Sequence, residues 1–260
     1  MRDFWHQMRG TPAMANHPVL ERADFDTRCV PLSIHGDGVP VSGVGKAWSQ
    51  SVDAFSWRSM LSRGSTLLTN YLMFIIYKFL KVTTEGRGTY EKFFSVLAWS
   101  LRALWDGRWP TTDASGAPFP AGSSDARRAG TPLAGGYFFT VFCIRADLEF
   151  LSSALGLEHT SGRQPCTCCR ANSTTVPWTD HRPTAGWRQT IWTNPPWFQA
   201  RPNRMPLFRV PGVGIQQVHP DLMHTKLHCS WPCCFIILLL SAALQVLLLL
   251  LMLVLLLVLF

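Results

Sequence analysis

Acidic residues are scarce in this chain of 260: 16 Asp and Glu stand against 24 Lys and Arg, a formal charge of +8. That balance favours anionic partners, nucleic acid or an acidic membrane surface. Charge of either sign is missing altogether beyond Lys226, so the average composition hides two unlike parts. An apolar h-region is missing from the opening stretch, "MRDFWHQMRGTPAMANHPVLERADF". This excludes a secretory signal peptide there and puts the eight cysteines in a reducing compartment, where metal binding is a better reading than a disulfide. A phosphate-binding P-loop is excluded too. In the stretch around "SGVGKAWS", Gly43, Gly45 and Lys46 are present, but Pro40 stands where the first glycine is required and Ala47 where Ser or Thr is.

What is present divides at about residue 226. With 47% hydrophobic residues overall, the chain can bury a core, and its body is long enough for one domain or a domain with a large insertion. Residues 235–260 are 26 uncharged residues, 14 of them Leu, with Gln245 the one clearly polar interruption. At about 1.5 Å per residue they make roughly 39 Å of helix against a hydrocarbon core of about 30 Å. One C-terminal transmembrane helix is therefore expected, a single-pass anchor that inserts after synthesis and leaves the basic body in the cytosol. If the tail is instead low-complexity leucine from a wrongly joined coding segment, the expected location is the nucleus. The other apolar run, "LLTNYLMFIIYKFL" (67–80), is too short to span and is interrupted by Asn70 and Lys78. It is expected to be a core helix.

The body reads as α+β. After a polar, helix-poor N-terminal segment (1–30), "CVPLSIHGDGVPVSG" suggests strand, kink and strand, and "SVDAFSWRSML" another strand. Phe93, Leu97, Leu101, Leu104 and Trp105 recur on one face of a helix over 89–107, with Glu91 in its first turn and Gly107 after its last. Residues 110–136 form a Pro/Gly/Ser/Ala-rich loop insertion. "GYFFTVFCI" is a buried strand, and "RADLEFLSSALGL" after it suits a helix. The divisions expected are therefore a partial core over 31–158, a Cys/Trp/Arg-rich insertion over 159–226, and the span at 235–260.

Two acids stand out against this background. Asp37 lies between two glycines inside a strand, where both residue types are disfavoured, and Asp147 lies just past the end of another strand. Carboxylates brought together at strand ends make a hard oxygen site for Mg²⁺ or Mn²⁺ and for two-metal phosphoryl transfer. Gly36 and Gly38 would let the backbone turn and a phosphate approach. The simpler alternative makes Asp37 a hairpin-turn residue and Asp147 a helix N-cap. Among the cysteines, Cys29 and Cys143 stand alone in apolar surroundings and read as core thiols. Cys166 and Cys169 in "PCTCCRA" have C-x2-C spacing, and a zinc ion there would take His159 and His181 as its nearest further ligands.

The order of "PLSIHGDGVPV", "RADLEFLSSALGL", "PCTCCRA" and "VHPDLMHTK" resembles that of transposase-like proteins of eukaryotic mobile elements, DDE type, similar to the Plavaka and KDZ groups. The resemblance covers about residues 17–226. It implies an RNase H-like mixed sheet, a divalent metal and cut-and-paste DNA transposition, with Asp37 matching the first catalytic acid, Asp147 the second, and Cys166 and Cys169 the knuckle of a cysteine-bearing insertion. The departures are that Ala146 replaces a usual glycine, and that "DLMH" runs into leucine instead of the helix that bears the third acid. Asp221, the only acid after Asp180, belongs to "DLMH" itself. A remnant without catalytic activity is what these departures imply.

A different function rests on residues 163–209, where Arg163, Arg170, Arg182, Arg188, Arg201, Arg204 and Arg209 face a single acid, Asp180, and are interleaved with Trp178, Trp187, Trp192 and Trp197. Guanidinium and indole groups together suit phosphate contact and base stacking on DNA. The alternative is that the tryptophans are core and the arginines a solvated face.

Overall fold

The computed structural model describes residues 1–42, 50–84, 88–158, 161–200 and 205–221. The expected membrane span, the P-loop-like stretch, His159, Arg201 and Arg204 lie outside these residues. Among the described residues, no helix is long and apolar enough to cross a membrane.

The N-terminal segment is not helix-poor. It holds α1 (Arg2–Met8) and the short α2 (Phe25–Arg28), and it packs on the sheet because Trp5, Met14 and Val19 are fully buried. The Trp5 indole N–H donates to the Cys29 carbonyl at 2.9 Å, satisfying its polar atom inside that contact.

β1 (Cys29–Ser42) is a single strand of 14 residues. No kink divides it at Gly36–Gly38: its ladder with β2 (Gln50–Ser59) runs unbroken from Leu32 to Pro40. The short α3 (Thr66–Thr69) leads into β3 (Tyr71–Tyr77), which pairs antiparallel with β2. The run at 67–80 is therefore a strand flanked by short turns of helix, not a core helix. Tyr, Phe and Ile make up five of the seven residues between Asn70 and Lys78, a length and composition that suit a strand.

α4 (Thr89–Asp106) forms as its periodicity predicts, buries Phe94, Ala98 and Leu101, and ends at Gly107 with φ +67. That left-handed cap needs glycine, since a Cβ there would press on the Tyr137 carbonyl at 3.2 Å. The insertion that follows is tied at its neck by Trp109 N–H to Thr131 O at 3.0 Å and Gly130 N–H to Trp109 O at 2.9 Å. It carries the short α5 (Ser124–Arg128), capped by Ser123. β4 (Phe138–Ala146) and α6 (Leu148–Leu155) come next, then α7 (Asn194–Ala200) and the three-residue β5 (Val218–Pro220).

The five strands form one mixed sheet in the order β3-β2-β1-β4-β5, with β1 to β3 antiparallel and β4 and β5 parallel to β1. This is the mixed α+β sheet expected. One face, carrying Leu32, Ile34, Phe55 and Ile144, packs on α4 and α6. Cys29, Phe138 and Cys143 lie on the other, under Trp5 and its neighbours. Both core thiols behave as expected, and burial pushes Cys29 up to about 12. Trp192, Trp197, Leu207, Phe208 and Ile215 join the main core. Gln217, fully buried, fastens this stretch to the N-terminus through its amide on the Ala13 carbonyl at 2.7 Å.

Candidate functional site

The register of the parallel strands places the acids. His35 of β1 pairs with Arg145 of β4, which pairs in turn with His219 of β5. Two residues further along β1 and β4 stand Asp37 and Asp147, and two beyond His219 stands Asp221. The Asp221 N–H donates to the Ala146 carbonyl at 2.8 Å, which continues the β4–β5 pairing past its last strand residue. Asp37 thus stands on β1, Asp147 just after β4 and Asp221 just after β5, each two residues past the paired His35, Arg145 and His219. Asp37 is held inside the ladder opposite Ala54, so it is not a hairpin-turn residue.

Gly36 has a reason independent of any ligand. A Cβ there would collide with the Phe150 ring, so the missing side chain lets α6 seat its aromatic directly on β1. Asp147 is the N-cap of α6: its Oδ1 accepts the Phe150 N–H at 2.5 Å. The capping role anticipated as the simpler alternative is therefore present, and it commits one carboxylate oxygen of the second acid to the helix.

The donor set can be tested against a metal directly. Among the described residues, no three His, Cys, Asp or Glu side chains approach one another closely enough to hold an ion. Asp221 directly follows a three-residue strand, which leaves almost no local pattern in the sequence from which to place it.

His219 on the preceding row is mostly buried, and its Nε2 has no hydrogen-bond partner among the described residues. Burial first, then the Arg145 charge, pushes it down from 6.5 to about 4. His17, buried under the N-terminal segment with its Nδ1 accepting the Val19 N–H at 3.1 Å, is pushed down from 6.5 to about 4 by the same desolvation. Because both folded values lie below the unfolded one, protonation favours the unfolded chain. Stability is full above pH 6.5 and is lost as pH falls toward about 4. The slope is at most about 1.4 kcal/mol per pH unit for each histidine. Urea denaturation at pH 7, 5.5 and 4.5 checks this, and His219→Gln is expected to flatten part of the slope.

The cysteines form a satellite core of their own. Cys166 and Cys169 are buried with Ala171, Ala185 and Trp187, and Cys168 packs against them. Cys168, which the spacing argument passed over, is drawn into the group. A hydrogen bond with Cys166 first, then burial, raises its thiol well above the ordinary value. His181 is exposed and lies beside the Asp180 carboxylate. It is not drawn into any metal-holding group among the described residues.

Among the described residues, the arginines have different partners. Arg182 donates to both Asp180 oxygens at 2.9 Å and holds that carboxyl down at about 2. Arg170 and Arg188 lie over Trp192 and Trp187 at 4.5 and 4.7 Å. Arg209 sits apart, where its carbonyl accepts from Arg102 of α4. Trp187, Trp192 and Trp197 are buried, so these indoles are core and offer no face for base stacking. Arg163, Arg170 and Arg182 remain exposed. Compared with known proteins, the chain matches no family model, no curated protein and no solved structure.

Proposed function

We propose that the chain is a transposon-derived protein, the remnant of a metal-dependent DNA transposase domain of RNase H-like fold, without catalytic activity of its own. The observation that carries this reading is that the parallel pairing of central strands β1 and β4 runs to His35 and Arg145, with Asp37 and Asp147 each two residues further along the chain; the end of such a pairing is where open sheets place functional groups. The cysteine cluster, arriving after the second acid and before β5, supports the same order of parts. The loss of activity is inferred from the sequence, where the helix that would bear a third acid is replaced by leucine after "DLMH". The test is incubation of the full chain with duplex DNA and Mn²⁺. No cleavage or joining is expected, and activity that Asp37→Asn abolishes would show the chain to be a working Mg²⁺- or Mn²⁺-dependent enzyme.

The same reading assigns zinc to Cys166 and Cys169, with Cys168 close by. About one zinc per chain is expected by elemental analysis, lost in Cys166→Ser combined with Cys169→Ser. Zinc unchanged by those substitutions would remove the assignment.

Exposed Arg163 and Arg170 favour a second reading, contact with DNA phosphates independent of chemistry. Binding is then expected to weaken linearly in log salt, with the slope falling by about 1 for each arginine changed to alanine. Anchoring through residues 235–260, with the body on the cytosolic surface, rests on sequence alone; recovery of the full chain in the membrane fraction after alkaline washing tests it.

A further inference from the structure

Cys166, Cys168 and Cys169 are gathered in one small core with Ala171, Ala185 and Trp187. Within it the Cys166 and Cys168 thiols share a hydrogen bond, so their sulfurs are neighbours, although the C-x2-C spacing singles out Cys166 and Cys169. The backbone around them is fixed: the Cys168 carbonyl accepts the Trp192 N–H at 2.9 Å, and Cys169 pairs with Ile191 in an isolated bridge. Asp180 is tied to the same core through its carbonyl, which accepts the Trp187 indole N–H at 2.7 Å. Both of its carboxylate oxygens are engaged by Arg182, which leaves sulfur as the donor this core offers.

We propose that Cys166 and Cys168 form a site for Cu(I), held between their sulfurs as a bis-thiolate. This rests on the reading of these cysteines as metal ligands, and it changes both the pair and the ion. Soft thiolate donors select Cu(I), and a closed-shell monovalent ion is satisfied by a pair of them in line. Zinc in a structural site takes a full tetrahedron of ligands, and among the described residues no three His, Cys, Asp or Glu side chains come together to begin one. On binding, each thiol gives up its proton to solvent, so two protons leave and the complex carries one net negative charge. Arg188, over the Trp187 ring at 4.7 Å, and Arg170, next to Cys169 in the chain, favour an anionic complex there. Cys168, the partly exposed member of the three, gives the ion its way in. Because Cys166 serves both sites, copper and zinc exclude each other.

The test is anaerobic titration of the full chain in detergent with Cu(I), against bicinchoninate as a coloured competitor. Cys229, Cys233 and Cys234 are first changed to serine, so that thiols outside the described residues do not count. About one copper per chain is expected to resist the competitor, and zinc measured in the same samples is expected to leave as copper enters. Cys168→Ser is expected to lose the copper and keep the zinc, Cys169→Ser to keep the copper and lose the zinc, and Cys166→Ser to lose both. Copper behaving in this way in a chain that never holds zinc would strike the zinc assignment alone. The copper proposal is overturned by no uptake, by uptake that survives Cys168→Ser, or by copper lost equally in Cys169→Ser. Zinc lost in Cys168→Ser overturns it too, because that thiol then belongs to the zinc site. If a variant unfolds, X-ray absorption at the copper edge of the copper-loaded parent still decides: a pair of sulfur neighbours is expected, and nitrogen or a third sulfur overturns the site.

Discussion

Replacing Phe55 with alanine is expected to cost about 3–5 kcal/mol, a large share of the roughly 5–15 kcal/mol that holds a domain together. Phe55 is 2% exposed on β2 and stands where β3, α4 and α6 meet. Its ring centre lies 4.7 Å from Phe93, 5.0 Å from Phe150, 5.5 Å from Phe94 and 5.8 Å from Tyr90. Three of these rings are carried by α4 and one by α6, so collapse into the vacated space would need both helices to move against the sheet. Most of the cavity should persist. The measurement is the shift of the urea midpoint at unchanged slope, and Phe55→Leu should lose less because much of the volume remains. A loss below about 1 kcal/mol for the alanine variant would mean that the four elements are not locked through this ring.

The second large effect is at Asp53, which lies on the same strand and is 1% exposed. Its Oδ2 accepts from Lys81 Nζ at 2.9 Å and from the Tyr90 hydroxyl, while Lys78 Nζ lies 3.9 Å from Oδ1. Burial, then the hydrogen bond to Asp53 and its charge, holds the Tyr90 hydroxyl protonated far above its ordinary range. Asp53→Ala removes the acceptor for a phenol and an ammonium at once. With the Lys81 side chain 18% exposed, little water can replace it, and a loss of about 3–5 kcal/mol is expected. Adding Lys81→Met should recover part of that loss, because the uncompensated charge goes with it. Equal stability of the single and double variants, measured in one denaturation series, would show that Lys81 reaches water without Asp53. The network also explains how an interior strand tolerates a buried acid: the short segment after β3 brings both lysines back over β2.

Several elements were legible because their signals are local. The 3.6-residue recurrence of Phe93, Leu97, Leu101 and Leu104, closed by Gly107, is sufficient to define α4, and the structure has that helix and that cap. Asp147 was readable as an N-cap from its position before "LEFLSSAL", and it caps α6. The excess of basic residues between 163 and 209 was equally plain. What it builds was not: the same tryptophans fit a stacking surface or a core, and only the fold buries Trp187, Trp192 and Trp197.

By itself, then, the sequence determined the mixed helix and strand content, the caps of α4 and α6, the core character of Cys29 and Cys143, and the positive charge of the body. Each depends on residues within a few positions of one another. The tertiary structure decided the rest. "YLMFIIY" is apolar at every position and so fits a helix or a strand, until pairing with β2 makes it β3. Gly36 takes its meaning from Phe150, 114 residues away in the chain and in contact with it in the fold. Asp221 comes to lie against the end of β4 through β5, a strand of three residues, with its N–H on the Ala146 carbonyl. Such contacts form between segments far apart in sequence, and their free energy comes from surfaces that exist only once the sheet has assembled.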